Sequence, residues 1–341
     1  MTPDATLATY SDWCFAGAVI VYVLALVLHG AQFAAGRRRV PRPALVAAGA
    51  GPGPDRGLGA SSGGASLDGA SSGGASSGDG GASPGDAAWG DRAGRMAIAL
   101  TVLGALVQAA SLLLRALAVQ RVPWGNMYEF GSAICLAAVV AWLVLLRRHG
   151  GPEPGLSRLG VFVLLPIVVL LFVSGTLLYT RAAPLQPALR SYWIAIHVAA
   201  AVIASGVLLV AGAASAGFLL RGTRAAGPDG RARAAWLPAP EVLDRLAYRA
   251  TIAAFPVWTF AIITGAVWAE TAWGRYWGWD PKETVALVAW VVYAGYLHAR
   301  ATAGWRVGAA WINVAGLAVM IFNLFFVNLV VSGFHSYAGV G

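Results

Sequence analysis

The chain has 341 residues, of which 58% are hydrophobic and 11% charged, whereas a soluble domain is about a quarter charged. That balance excludes an ordinary water-soluble globule and places most of the chain in lipid. The net charge of +9 is carried almost wholly by arginine, with Lys282 the single lysine; on so apolar a chain the placement of these cations bears on membrane orientation, not on nucleic acid.

A helix needs about 20 apolar residues to cross a bilayer. Eight such stretches follow one another, at about 12–35, 96–119, 128–146, 159–179, 193–220, 249–270, 284–303 and 307–331. Each is expected to be helical, because backbone polar groups in lipid must be satisfied within their own segment. The fold expected is therefore all-α, a polytopic transmembrane bundle. Its first stretch has no basic residues ahead of it and outruns the roughly 7–15 apolar residues of a signal peptide, so residues 1–39 are read as a first transmembrane helix. Residues 40–92 are rich in Gly, Ala, Ser and Pro, with Gly-Ala-Ser-Ser-Gly-Gly repeats that cannot bury a core. This segment is expected to be a disordered cytoplasmic linker, and residues 93–341 to form a seven-helix core.

The arginines divide unevenly between the two sets of loops. Eighteen lie at one set, from Arg37–Arg39 through Arg147, Arg221 and Arg300 to Arg306, and five cations lie at the other: Arg121, Arg181, Arg190, Arg275 and Lys282. Arg115 falls inside a span. The basic side is the cytoplasmic one, which puts both termini outside. Cys14 and Cys135 are far apart, form no C-x-x-C pair, and are read as packing residues, so the chain is neither a disulfide scaffold nor a thiol oxidoreductase.

The outer loops are short and aromatic. The first reads Arg121-Val-Pro-Trp-Gly-Asn-Met-Tyr-Glu129, the second runs from Thr180 to Tyr192, and the third, at 268–284, contains Trp273-Gly-Arg-Tyr-Trp-Gly-Trp-Asp-Pro-Lys-Glu-Thr284. An aromatic interfacial belt accounts for Trp268 or Trp305, but accounts poorly for Trp273, Trp277 and Trp279 beside two glycines and an Asp-Pro-Lys-Glu run.

Of the five histidines, His197 lies about one turn inside the fifth span and His335 follows the eighth, so the two bracket this loop on one membrane face. A lone interfacial histidine is ordinarily an anchor or a packing residue. Two of them beside one aromatic platform suit the axial positions of a haem iron, and neither has the spacing of a zinc or non-haem iron site. The indoles can stack on a porphyrin, and Gly274 and Gly278 permit close approach. Asp280, Lys282 and Glu283 either set the loop geometry or meet the propionates, with Pro281 starting the seventh helix and Asp280 capping it. His298 sits toward the cytoplasmic end of the seventh span, and an ionisable residue at that depth is a functional candidate. His29, at similar depth, is either its companion or a packing residue, and His149 is read as a solvated residue without a role.

The third loop resembles the tryptophan-rich WWD motif of haem-handling membrane proteins, in the form found in the CcsA/ResC family of system II cytochrome c biogenesis. Pro123–Glu129, with Trp124 at its centre, is similar to a family element in the same outer loop, and Gly333-Phe-His-Ser-Tyr-Ala338 to the family's C-terminal histidine segment. The resemblance implies that His197 and His335 are the two external ligands of a haem b iron and that His298 is an intramembrane haem ligand. It also implies a CcsB/ResB-type membrane partner supplying a further histidine, an apocytochrome c C-x-x-C-H segment whose thiols add across the haem vinyl groups, and a thioredoxin-like thiol reductant. The chain would then be the haem-handling part of a holocytochrome c synthase in the cell membrane, presenting haem on its outer face, with haem export as a further expectation. Two rivals stand beside this: a system I WWD protein of the CcmC or CcmF type, and a polytopic exporter that does not use haem.

Overall fold

The structure is a computed structural model describing residues 3–38, 84–148, 156–185, 187–222, 237–302, 305–331 and 333–335. The glycine-rich insert as far as residue 83, His149, and Ser336–Ala338 of the C-terminal motif lie outside the described residues. Among the described residues every regular element is helical: α1 (Ala5–Arg38), α2 (Pro84–Val119), α3 (Met127–Arg148), α4 (Gly160–Thr176), α5 (Tyr192–Gly222), α6 (Pro240–Trp273), α7 (Pro281–Ala301), α8 (Arg306–Leu324) and the single turn α9 (Phe326–Leu329). Each of the eight long helices covers most of one apolar stretch, but α2 already starts at Pro84, inside the segment expected to be a linker, and the eighth stretch is broken at Phe325.

Seven of them contain a stretch long and apolar enough to cross a membrane, which makes this a multi-pass membrane protein. The eighth, α7, has 21 residues and reaches about 31 Å, but Lys282, Glu283, His298 and Arg300 dilute its apolar run.

The helices pack as antiparallel hairpins. α1 lies along α2, with Ser11 bonded to Ser111 and Tyr22 to Gln108; α5 lies along α6, and α7 along α8. Apolar residues of α1, α3, α4, α5 and α6 form the main core, around Trp142, Leu159, Leu164 and Leu209. A second core joins α5 through α8, around Trp258, Ala289 and Tyr293.

Ion pairs close the bundle at both ends. At one end Arg300 donates to Asp244 through Nε and an amino nitrogen, at 2.8 and 2.5 Å, tying α7 to α6. At the other, Arg115 is 1% exposed and bonds Glu129 at 3.0 Å, Asp12 at 3.2 Å and the carbonyl of Thr180. A charge buried in an apolar bundle has to be paired in this way. The starts of α1, α3, α5 and α7 share that second end with the finishes of α2, α4, α6 and α8.

Candidate functional site

The aromatic loop is a turn pinned by its own side chains. α6 stops at Gly274, whose φ of 73° puts it in the left-handed region that glycine tolerates, and its N–H closes on the carbonyl of Glu270 at 2.8 Å. Seven residues later α7 starts at Pro281 with Asp280 as its cap, as the sequence suggested. Glu283, at the third helical position, reaches back to the N–H groups of Asp280 at 3.2 Å and Gly278 at 2.9 Å, completing a capping box. Between those two donors sits Trp279 with φ 54°, a conformation that a bulky residue adopts only when its surroundings hold it there.

Asp280 does more than cap the helix. It is 4% exposed; one carboxylate oxygen accepts the Phe334 N–H at 2.6 Å, and the other accepts the Lys282 N–H at 3.1 Å and His335 Nδ1 at 2.8 Å. The C-terminal segment is thereby docked on the cap of α7. Burial alone would raise the Asp280 carboxyl, but the bonds from His335 and the Phe334 N–H outweigh it and hold the group below the usual range. Burial pulls His335 below the ordinary imidazole value despite the bond to Asp280, so the neutral ring is favoured.

His197 lies in the second turn of α5, with Nδ1 2.7 Å from the carbonyl of Ala261 on α6. Gly265, one turn further along α6, makes room for the ring: a Cβ there would stand 2.7 Å from both Cε1 and Nδ1. Trp268 follows on the same helical face and joins the two histidines. Its ring stacks on His197 at 6.3 Å and 9°, and meets His335 edge-on at 5.7 Å. Trp273 completes the cluster, 4.7 Å from Trp268 and 5.0 Å from His335. Each imidazole is therefore held through Nδ1. A ring whose Nδ1–H donates to an oxygen carries its lone pair on Nε2, the arrangement that second-sphere partners impose on metal-binding histidines.

His197, His335, Trp268, Trp273 and Trp277 line one cavity of about 1500 Å³, counting its opening to the exterior, which continues between the helices past Ser205 and Trp258. Trp124, Gly125 and Asn126 form another wall. That wall is set by Glu129, fully buried, which accepts from Arg121 at 2.7 and 3.1 Å, from Arg115 and from the Gly125 N–H at 2.8 Å.

Of the residues singled out in the sequence, His197, His335, Trp124, Trp273, Trp277 and Glu283 line this cavity. Gly274 and Asp280 support it from behind. Trp279 is 69% exposed and stands against Trp277 at 5.8 Å, outside the lining. His298 is exposed on α7, away from the cavity. His29 is buried against Gly160, on a helix that packs on α2 and α4, whereas α7 packs on α6 and α8. Trp268, which an interfacial belt would have explained, is 1% exposed and central to the site. The spacing Ala261, Gly265, Trp268 puts these three on one face of α6 and was the signal available for it.

Residues 124–335 match the family model described as cytochrome C assembly protein. Among curated proteins, the cytochrome c biogenesis protein CcsA of Synechococcus sp. strain RCC307 is 36% identical over 267 residues, covering 71% of this chain and 85% of the relative. CcsA of Prochlorococcus marinus strain MIT 9313 is 34% identical over 264 residues, covering 70% and 82%. CcsA of Parasynechococcus marenigrum strain WH8102 is 35% identical over 238, covering 63% and 77%. The matched region begins at Trp124 and ends at His335, so it takes in both the loop fixed by Glu129 and the segment docked on Asp280. On that extent and identity, the chain belongs to the CcsA family of cytochrome c assembly proteins.

Proposed function

We propose that the chain is the haem-handling subunit of a system II cytochrome c synthase and holds haem b between His197 and His335, at the outer face of the cell membrane. The observation that carries this reading is the shared anchoring of the two imidazoles: both line one aromatic cavity, and both are bonded through Nδ1, which leaves the ring lone pair on Nε2. The residues present fit the group. Gly265 supplies the space His197 needs, and Trp268 and Trp273 give flat apolar walls for a macrocycle.

When bound, haem supplies two vinyl groups, and the thiols of an apocytochrome C-x-x-C-H segment add across them to form thioethers. The chain's own residues orient and shield. His197 and His335 set the axis, the Asp280 carboxylate holds His335 in the tautomer that presents Nε2 while burial keeps the ring neutral, and Trp124, Trp273 and Trp277 exclude water from the walls. The two cysteines form no dithiol pair that could reduce a disulfide of the incoming C-x-x-C-H segment. Cys135 is buried in the helical core and Cys14 lies on α1, so a thioredoxin-like reductant is part of the proposal. A CcsB/ResB-type membrane protein completes it. His298 faces outward on α7, where a haem ligand would need its opposite imidazole from that companion.

The test is spectroscopic. The complex purified with its companion should show a low-spin bis-imidazole haem spectrum, and His197→Ala and His335→Ala should each lower haem content and stop cytochrome c maturation. Unchanged spectra and unchanged cytochrome levels in both variants reject the assignment.

A further inference from the structure

Two axial imidazoles fix a position and an axis, but they leave a planar ligand free to turn about that axis. Thioether formation needs the vinyl edge to face the incoming thiols, so something off the axis has to choose the rotation. The cavity is apolar on nearly every wall, and one corner is not.

In the Asp-Pro-Lys-Glu run both carboxylates are already engaged: Asp280 by His335 and two backbone N–H groups, Glu283 by Gly278 and Asp280. Lys282, between them, lines the cavity beside Glu283, and its ammonium bonds to neither carboxylate. Its Nζ donates to Asn328 Oδ1 at 2.6 Å and lies 5.8 Å from the centre of the Phe130 ring. Asn328 is itself held, since its Nδ2 donates to the carbonyls of Leu324 at 2.6 Å and Asn323 at 3.3 Å, which the break between α8 and α9 leaves open. Asn323 lines the same corner, 6% exposed, and its Oδ1 takes no hydrogen bond among the described residues.

Among the described residues that line the cavity, Lys282 is the one lysine or arginine. Arg275, the other cation of the loop, lies over Phe334 at 4.3 Å. No carboxylate among the described residues lies within ion-pair distance of Lys282 Nζ; a neutral amide backs it. A desolvated ammonium whose nearest partner is neutral is costly, and an anionic group entering the cavity would repay that cost.

We propose that Lys282, oriented by Asn328 and flanked by Asn323, is the anchor for a carboxylate of the bound ligand and selects its rotation about the histidine axis. The inference rests on the haem reading above, in which the carboxylate is a propionate. Because the propionates and vinyls of haem occupy different edges, gripping the first turns the second away from this corner. Lys282 is thus a positioning residue for the thioether step.

The test uses the purified complex, titrated with haem and with haem dimethyl ester, in which both propionates are methylated. The wild-type complex should bind the ester at least about tenfold more weakly, as expected for loss of one charge-assisted bond. Lys282→Met should bind haem about as weakly as the wild type binds the ester and discriminate little between the two, while Lys282→Arg should keep most of the preference. A low-spin bis-imidazole spectrum at saturating haem shows that the Met variant is folded. Equal wild-type binding of haem and ester, or an undiminished preference in Lys282→Met, overturns the anchor and leaves the histidine site standing. A wild-type complex that takes up no haem overturns both.

Discussion

Gly265→Ala is the smallest change that reaches the proposed ligand without touching it. The added methyl would stand 2.7 Å from Cε1 and Nδ1 of His197, well inside van der Waals contact, and the ring has little freedom to withdraw. Its Nδ1 is bonded at 2.7 Å to the carbonyl of Ala261, one turn away on the same helix, and Trp268 stacks along it. Either α5 and α6 move apart or His197 turns and loses that bond. An inserted methyl in a packed interior costs about 1–3 kcal/mol, so if the ligand carries the strain, haem affinity falls roughly 5- to 150-fold. The assay is haem content and the optical spectrum of the purified variant, with thermal unfolding measured alongside. Gly295→Ala is the control: nothing lies within 4 Å of its added methyl, and an alanine within a helix stabilises by about 0.5–1 kcal/mol. A Gly265→Ala protein with wild-type haem content and an unchanged low-spin spectrum would refute the placement of His197 against α6.

Asp280→Asn keeps a helix cap but replaces the charged acceptor of His335, so the docked segment should loosen by about 1.5–3 kcal/mol; faster haem loss with little change in the unfolding temperature of the bundle is expected. Glu129→Ala removes the carboxylate shared by Arg115 and Arg121 and leaves Arg115 under-compensated, a loss of roughly 3–5 kcal/mol, read as a lower unfolding temperature and greater protease access at residues 121–126. The pH dependence follows from two lowered values. Asp280, held below its unfolded carboxyl value, contributes above about pH 4 and loses that contribution as pH falls through its folded value. His335, held neutral, contributes above about pH 6.5 and likewise loses it on acidification. Haem retention should therefore be flat between about pH 7 and 8 and decline below about 6.5; retention that improves on acidification would contradict the Asp280–His335 arrangement.

The helices were legible because lipid imposes a length and a composition, and helix starts such as Asp280-Pro281 carry their own chemistry. Arg115 was visible as an oddity inside a span, but its partners come from α1, α3 and the loop after α4, and no local pattern joins residues so distant in the chain. The histidine pair was legible from topology alone, whereas the contact of Trp268 with both rings depends on how deeply α6 is buried, which composition does not record. Trp279 shows the opposite limit. It is conspicuous in the motif, yet the left-handed backbone that Glu283 holds around it turns its indole outward. The corner at Asn328 likewise emerges only once α8 breaks at Phe325.

The two sides of the site are built to different standards of permanence. One imidazole is part of a long helix, wedged against its neighbour; the other rides on a short strap beyond α9, fastened at Asp280 by a backbone N–H and its own ring. Displacing the first means deforming the bundle, while displacing the second means unfastening a strap. On the haem reading proposed above, a competing imidazole would meet the lower barrier on the strap side, which would give departure of the product a built-in direction.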